Sequence, residues 1–365
     1  MRDEEFCMPD DIVAFTKELI ELRTVPEQPT QLQRALELCQ RRIVGVTIEH
    51  FEHNGYKSIL AYNTKQRPER FRVVLNGHLD VIPGKDHQYV PEVRGDRLYG
   101  VGATDMKANV ACIIQVFNEM ASKVSYPLAL QLVTEEELGG FDGTKYQIDS
   151  GVRADFVIAA ESTNFDIVNQ AKGVLWVKLT ASGQTAHGAY PWRGDNAIQK
   201  MSRFLALLER EYPTPREQQW CTTVNVSAIR SANVAFNKIP DHCEVSLDIR
   251  FLPSESGAVL ERLKRIVPKD FSLEVVANEP ALFVEEQNYF VMQLKKATED
   301  TRKQPCAFYC AQGSSDARHY TRVGDYGVEF GPIGGGIGTD DEWIEIPSLT
   351  TYCEVLRNFL MRVAS

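Results

Sequence analysis

The chain has 365 residues, 43% hydrophobic and 25% charged, with a formal net charge of −10. That length exceeds one ordinary core and predicts two domains. The acidic balance argues against a nucleic-acid partner and supplies no polybasic membrane anchor. No apolar run is long enough to cross a bilayer, so no membrane partner is expected. The opening "MRDEEFCMPDDIVAF" is acidic where a signal peptide would be basic and lacks its apolar region. Eight scattered cysteines with no Cys-x-x-Cys pair indicate neither a zinc ribbon nor a disulfide scaffold, and a reducing cytoplasm fits them best.

In chain order, helical spacing of apolar residues predicts helices over 10–23 and 30–43. A buried strand follows at 71–76 ("FRVVLN"), then an amphipathic helix at 106–122 and strands at 127–134 and 155–160. Strands alternating with helices suggest βαβ units and a parallel sheet. The middle of the chain changes character. Strand 173–182, helix 195–212, strands 222–229 and 243–252, helix 255–267 and strand 271–277 follow one another. The order β-α-β-β-α-β is that of a ferredoxin-like unit, here a separate small domain set into the larger one. After "NEP" (278–280) α/β patterning resumes and ends in a helix near 348–363.

Four motifs carry candidate chemistry. "VVLNGHLDV" places His78 and Asp80 just past an apolar strand, two residues apart and therefore on one side of an extended chain. A carboxylate there can accept the second imidazole N–H and fix the ring for a metal. "YGVGATDMKANV" sets Asp105 at a glycine-rich turn before a helix; its spacing matches neither a dinucleotide nor a phosphate loop, and helix capping is the plain alternative. "LVTEEELGG" places Glu135, Glu136 and Glu137 between a strand and a Gly-Gly turn, where adjacent carboxylates raise one another's pKa and one can carry a proton. "FVIAAEST" sets Glu161 directly after another strand. Taken singly, each has a structural reading of equal weight. Together they place an imidazole and several carboxylates at the carboxyl edge of one sheet, where open α/β folds bind ligands, and that donor set suits zinc.

These motifs, with "GQTAHGAYPWRGDNAI", "NKIPDHCEVSLDIR", "GSSDARHY" and "GTDDEW", are similar in order and spacing to those of one family from about residue 10 to the C-terminus. It is the family of zinc metallopeptidases and deacylases that includes acetylornithine deacetylase, succinyl-diaminopimelate desuccinylase, aminoacylase and glutamate carboxypeptidase. The resemblance implies a mixed sheet flanked by helices (residues 1–172 and 284–365) with an inserted ferredoxin-like lid and dimerisation domain (173–283). It implies that His78, Asp105 and Glu161 bind zinc, with Asp80 orienting His78, Asp105 bridging to a second metal and Glu137 serving that second metal. It makes Glu136 the general base, His187 an oxyanion donor reaching a neighbouring subunit, and Asn237, Arg250 and Arg318 substrate contacts. The implied activity is hydrolysis of an N-acyl amino acid by a cytoplasmic homodimer, or of a dipeptide or C-terminal peptide bond by the same apparatus. Zinc is the implied metal, with Co2+ or Mn2+ as substitutes.

One departure stands out. The family places a histidine, as last ligand of the second metal, four residues before a glutamate; counting back from Glu342 gives Gly338. The last histidine is His319, so the expectation is one metal and a weakened or empty second site, with water, Asp340 or Asp341 in the gap. The same gap motivates a rival expectation, a binding or regulatory protein that has lost catalysis.

Overall fold

The computed structural model describes residues 9–364; Cys7 and most of the acidic opening segment lie outside them. The chain forms two units. One comprises the chain up to Gln170, Phe283–Cys310 and the stretch from Ser315; the other comprises Ala171–Leu282 with Ala311–Ser314.

The larger unit begins with helices α1 (Pro9–Ile20) and α2 (Pro29–Gln40), strands β1 (Thr47–His53), β2 (Tyr56–Tyr62) and β3 (Phe71–His78), and the short strands β4 (Glu92–Arg94) and β5 (Arg97–Tyr99). Helix α3 (Ala108–Met120), strand β6 (Leu128–Val133), helix α4 (Thr144–Asp149) and strands β7 (Ala154–Ala159) and β8 (Ile167–Ala171) follow. The smaller unit holds β9 (Gly173–Ser182), α5 (Ala197–Glu211), β10 (Thr223–Arg230), β11 (His242–Phe251), α6 (Val259–Ile266) and β12 (Phe271–Glu279). Past it come β13 (Leu282–Phe283), α7 (Tyr289–Arg302), β14 (Phe308–Ala311), α8 (Ala317–Thr321), β15 (Tyr326–Glu329), β16 (Gly334–Gly335), β17 (Trp343–Glu345) and α9 (Ile346–Arg362).

The main sheet runs β1-β2-β6-β3-β7-β15-β8-β13, with β14 on β8. Its centre is parallel: β3 pairs in parallel with β6 and β7, and β7 with β15. Its flank is antiparallel, so the sheet is mixed rather than parallel throughout. The cause is a hairpin that periodicity alone does not reveal. Asn54 and Gly55 both take positive φ, the geometry of the tight turn that Asn-Gly favours between antiparallel strands. Strands β3 and β6 are buried almost throughout, which explains their near-continuous apolar runs. Gly77 matters here: a Cβ would lie 2.9 Å from Val110 Cγ2, so its absence lets α3 lie against β3 and fixes where the turn before α3 ends.

The smaller unit is one antiparallel sheet in the order β10-β11-β9-β12. Numbered along the chain this is 2-3-1-4, the ferredoxin-like arrangement. Helices α5 and α6 bury Met201, Phe204, Leu208, Val259 and Leu263 in a core with alternate residues of β9 and β11. Among the described residues no helix is long and apolar enough to cross a membrane. Seven cysteines, Cys39 to Cys353, are free thiols.

Candidate metal and hydrolytic centre

Three adjacent parallel strands deliver the site. In register, His78 at the end of β3 lies opposite Val133, the last residue of β6, and Asn76 lies opposite Ala159 at the end of β7. All three carboxyl ends therefore open on one edge of the sheet, where His78, the Glu135–Glu137 turn and Glu161 emerge. Asp105 comes from the irregular turn before α3, whose Asp105–Met106 peptide is cis. A second, four-stranded sheet, β16-β17-β5-β4, brings the 336–342 loop to the same edge. There the buried Glu342 carboxylate accepts the backbone N–H groups of Gly102 (2.9 Å), Thr104 (3.0 Å) and Asp105 (3.1 Å).

The cluster is compact. His78, Asp105 and Glu161 each offer a ligand atom within 4.8 Å of the others. His78 Nε2 lies 3.0 Å from Asp105 Oδ1 and 3.8 Å from Glu161 Oε1. Its other nitrogen, Nδ1, lies 3.0 Å from the main-chain oxygen of Asp80 and 3.6 Å from Asp80 Oδ1. Asp80 thus orients the ring first through its backbone. Its Oδ2 accepts the Glu137 N–H at 2.8 Å and holds the glutamate turn in place. Asp340 is ion-paired to Lys85.

The three consecutive glutamates divide by environment. Glu135 turns inward, 2% exposed, and accepts the N–H groups of Asp142 and Gly143; burial pushes its carboxyl up to about 8. Glu136 has Oε1 3.9 Å from Arg318 Nη1, and burial holds its carboxyl well above the usual range against the pull of His78. Glu137 accepts the Ile82 N–H at 3.1 Å and is pushed up to about 7, again chiefly by burial. Burial likewise raises Glu161, with Asp105 adding to it. Burial opposes charge on His78, yet its contacts with Asp105 and Asp80 raise it well above its ordinary value. So many carboxylates around one imidazole suit a cation by charge as well as by position.

The residues of the cluster fit one divalent ion. One imidazole nitrogen and two carboxylate oxygens converge, with the ring oriented from behind, and that borderline-to-hard donor set suits zinc, cobalt or manganese. A second ion fares worse. Asp105 and Glu137 border a cavity of about 250 Å3 that Gly338, Asp340, Lys85 and Glu342 also line. Gly338 therefore stands where a further donor would be wanted; its φ is +69° and nothing lies within 4 Å of a Cβ built there.

Of the remaining expected site residues, Arg318 belongs to the larger unit and His187, Asn237 and Arg250 to the smaller one. Arg318 is buried at 4% exposure and donates to the carbonyls of Gly139 and Ser315. In the smaller unit, the exposed His187 accepts the Ala189 N–H at Nδ1 (3.1 Å), which leaves the proton on Nε2 and makes that atom a donor. Gly188 donates to the Asn237 carbonyl at 2.7 Å, so the His187 and Asn237 loops run side by side. On β11, Arg250 Nε donates to Asp248 Oδ1, which also takes the Trp176 indole N–H. Sequence patterns single out neither Glu342 nor Glu135 for these backbone cradles, because a buried acceptor and a solvated acid look alike in a run of acids.

The layout is that of an enzyme hydrolysing C–N amide bonds, and the comparisons with known proteins agree. The chain belongs to the peptidase family M20/M25/M40, whose family model matches residues 74–362. It is 27% identical to a succinyl-diaminopimelate desuccinylase of Janthinobacterium sp. (strain Marseille), over 96% of this chain and 99% of that one. A protein of the same description from Paraburkholderia xenovorans is 28% identical, over 96% and 97%. Among solved structures, the aminopeptidase PepT of Bacillus cereus shares the fold with a TM-score of 0.80 at 19% identity, covering 98% of this chain and 99% of that one. The YXEP protein of Bacillus subtilis, described as a dinuclear metal-binding peptidase of the M20 family, does so with a TM-score of 0.72 at 14% identity, covering 98% of each chain.

Proposed function

We infer that the chain removes an acyl group from an N-acyl amino acid, using one divalent ion, zinc first among them, held by His78, Asp105 and Glu161. The observation that carries this is the convergence of those three ligand atoms beside the half-buried Glu136, whose carboxyl is raised. The ion would supply Lewis-acid polarisation of the scissile carbonyl and make water easier to deprotonate. Glu136 takes the proton from the attacking water and returns it to the leaving amine; a carboxyl held above its usual range is the better proton acceptor for the first transfer. His187 offers Nε2–H to the developing oxyanion, a donor whose loss typically costs about 2.7–4 kcal/mol. Arg250, steadied at Nε by Asp248, presents its two end nitrogens to a substrate carboxylate, and Asn237 lies on the loop beside His187. Desuccinylase relatives across nearly the whole chain favour a succinyl or similar dicarboxylic acyl group over a dipeptide or a C-terminal residue.

A homodimer through the smaller unit completes the picture. Strand β10 is an edge of its sheet with Val226 and Ile229 exposed, a surface that a second copy can extend. Free thiols suit a reducing cytoplasm. The test is turnover of N-succinyl and N-acetyl amino acids and of dipeptides by the purified chain, with metal content measured alongside. Succinyl-amide hydrolysis by zinc-loaded protein is expected. Bound zinc with no turnover of any of these would instead favour a binding homologue, the alternative that Gly338 raises. Mixing inactive Glu136→Gln and His187→Ala chains checks the dimer: restored activity supports a histidine supplied across subunits, and none in a proven dimer contradicts it.

A further inference from the structure

We propose that Arg318, seconded by His319, is a positioning residue for Glu136, acting through the carbonyl of Gly139 and not on a substrate carboxylate. The proposal rests on the reading of Glu136 as the proton carrier. Glu136 sits on a tight turn: Gly139 N–H donates to its carbonyl at 2.7 Å and Gly140 N–H to that of Glu135 at 2.9 Å. The turn is gripped from three sides. Glu135 anchors it from below through Asp142 and Gly143, and Asp80 holds one flank at the Glu137 N–H. The other flank is the Gly139 carbonyl, which accepts from Arg318 Nη2 at 2.5 Å and from His319 Nε2 at 2.9 Å.

The contact is close-packed. Gly140 has φ +66°, and a Cβ there would lie 1.9 Å from Asp316 Oδ1 and 2.9 Å from His319 Nε2. Asp316 is tied down in turn by the Thr144 hydroxyl at 2.5 Å. Burial and its own bonds leave Arg318 poorly placed to serve a substrate as well. It is 4% exposed, Nη1 donates to the Ser315 carbonyl at 2.7 Å, and Nη2 is held by Gly139. A bidentate carboxylate needs two parallel N–H groups facing open space, whereas Nη1 and Nη2 each give one N–H to a main-chain carbonyl and Nε is buried away from solvent. At 3.9 Å from Glu136 Oε1, Nη1 is beyond hydrogen-bond length yet near enough to draw that carboxylate to one side of the site. Charge-assisted bonds to a buried carbonyl are strong ones, and moving a proton carrier by even an ångström is costly to rate.

The experiment compares wild type, Arg318→Ala and Arg318→Lys on an N-succinyl amino acid and on its α-methyl ester, with zinc content and hydrogen exchange of residues 135–141 followed in parallel. A positioning role predicts that Arg318→Ala lowers kcat by about 10–100-fold, the usual effect of losing a supporting contact. KM should move by no more than about twofold, the acid-to-ester preference and zinc content should hold, and Arg318→Lys should recover part of kcat. A KM increase confined to the free acid would overturn the proposal and give Arg318 to the substrate; so would unchanged kcat. If Arg318→Ala does not fold, Arg318→Lys carries the same comparison. If wild type hydrolyses nothing, exchange still decides. Faster exchange confined to 135–141 keeps the clamp while the hydrolase reading fails, and unaltered exchange removes the clamp.

Discussion

The two sides of the candidate metal centre meet at Asp105 and differ in almost everything else. On one side His78 and Glu161 converge on it, backed by the main chain of Asp80 and by the Glu342 carboxylate that holds the Asp105 turn. On the other side Glu137 lines a cavity that Gly338 also lines, with Lys85 and Asp340 paired beside it. The first half is built from strand ends and a braced turn. The second depends on a loop residue without a side chain. A shared carboxylate does not make two metal sites; the number of further donors does, and here they are unequal.

The largest expected effect sharpens the first half. Glu136→Gln should leave zinc bound and lower kcat by about 10²–10⁴-fold, the range for a positioned acid–base group; a near-normal rate would remove Glu136 from the role. Next, Glu342→Gln should weaken zinc binding by about 10–100-fold, because one amide oxygen cannot replace a carboxylate spanning three N–H groups. Competition against a zinc chelator reads this directly, and unchanged affinity would mean that the Asp105 turn needs no brace. On the second half, Gly338→His should raise bound metal per chain. The open space around that position admits the ring, although the left-handed backbone costs about 1 kcal/mol or more.

The smallest effect is on stability against pH. Glu135 is pushed up to about 8, and Glu137, Glu329 and Glu342 to about 7, with burial the leading cause in each. Each folded pKa lies above the free value, so the folded state binds more protons. The stability these groups contribute is full below about 4.5 and is lost as pH rises through 7 to 8. Lys107, lowered by burial to about 7, acts in the opposite sense only above that value. Metal-free protein should therefore be easier to denature with urea at pH 7 than at pH 5, and added zinc should oppose the trend by taking up the deprotonated ligands. Rising stability over that interval in metal-free protein would contradict these environments.

Much of this was legible in the sequence, for identifiable reasons. Strands β3, β6 and β7 stand out because buried parallel strands need unbroken apolar runs, and the acids that end those runs are visible at their ends. Strand β9 is readable over 173–182 because one face is buried and alternation shows it. The mixed character of the main sheet follows from the family resemblance and not from periodicity, which points to parallel βαβ units, although "EHNGYK" carries the Asn-Gly turn between β1 and β2. Glu342, Asp316 and the Gly139 carbonyl were beyond reach for a different reason. Their roles depend on contacts between segments 172 to 240 residues apart, which no local pattern encodes. For Arg318, type and setting pull in different directions: its type suits a carboxylate, while its burial and carbonyl partners suit support.

The central claim is that one divalent ion, seated on His78, Asp105 and Glu161, is enough for this chain. Metal stoichiometry of the active protein by elemental analysis, with rate followed as zinc is added back to stripped protein, addresses it directly. The account predicts full activity at one zinc per chain and a rise towards two only in Gly338→His. Activity that appears only with a second tightly bound ion in the wild type would contradict it.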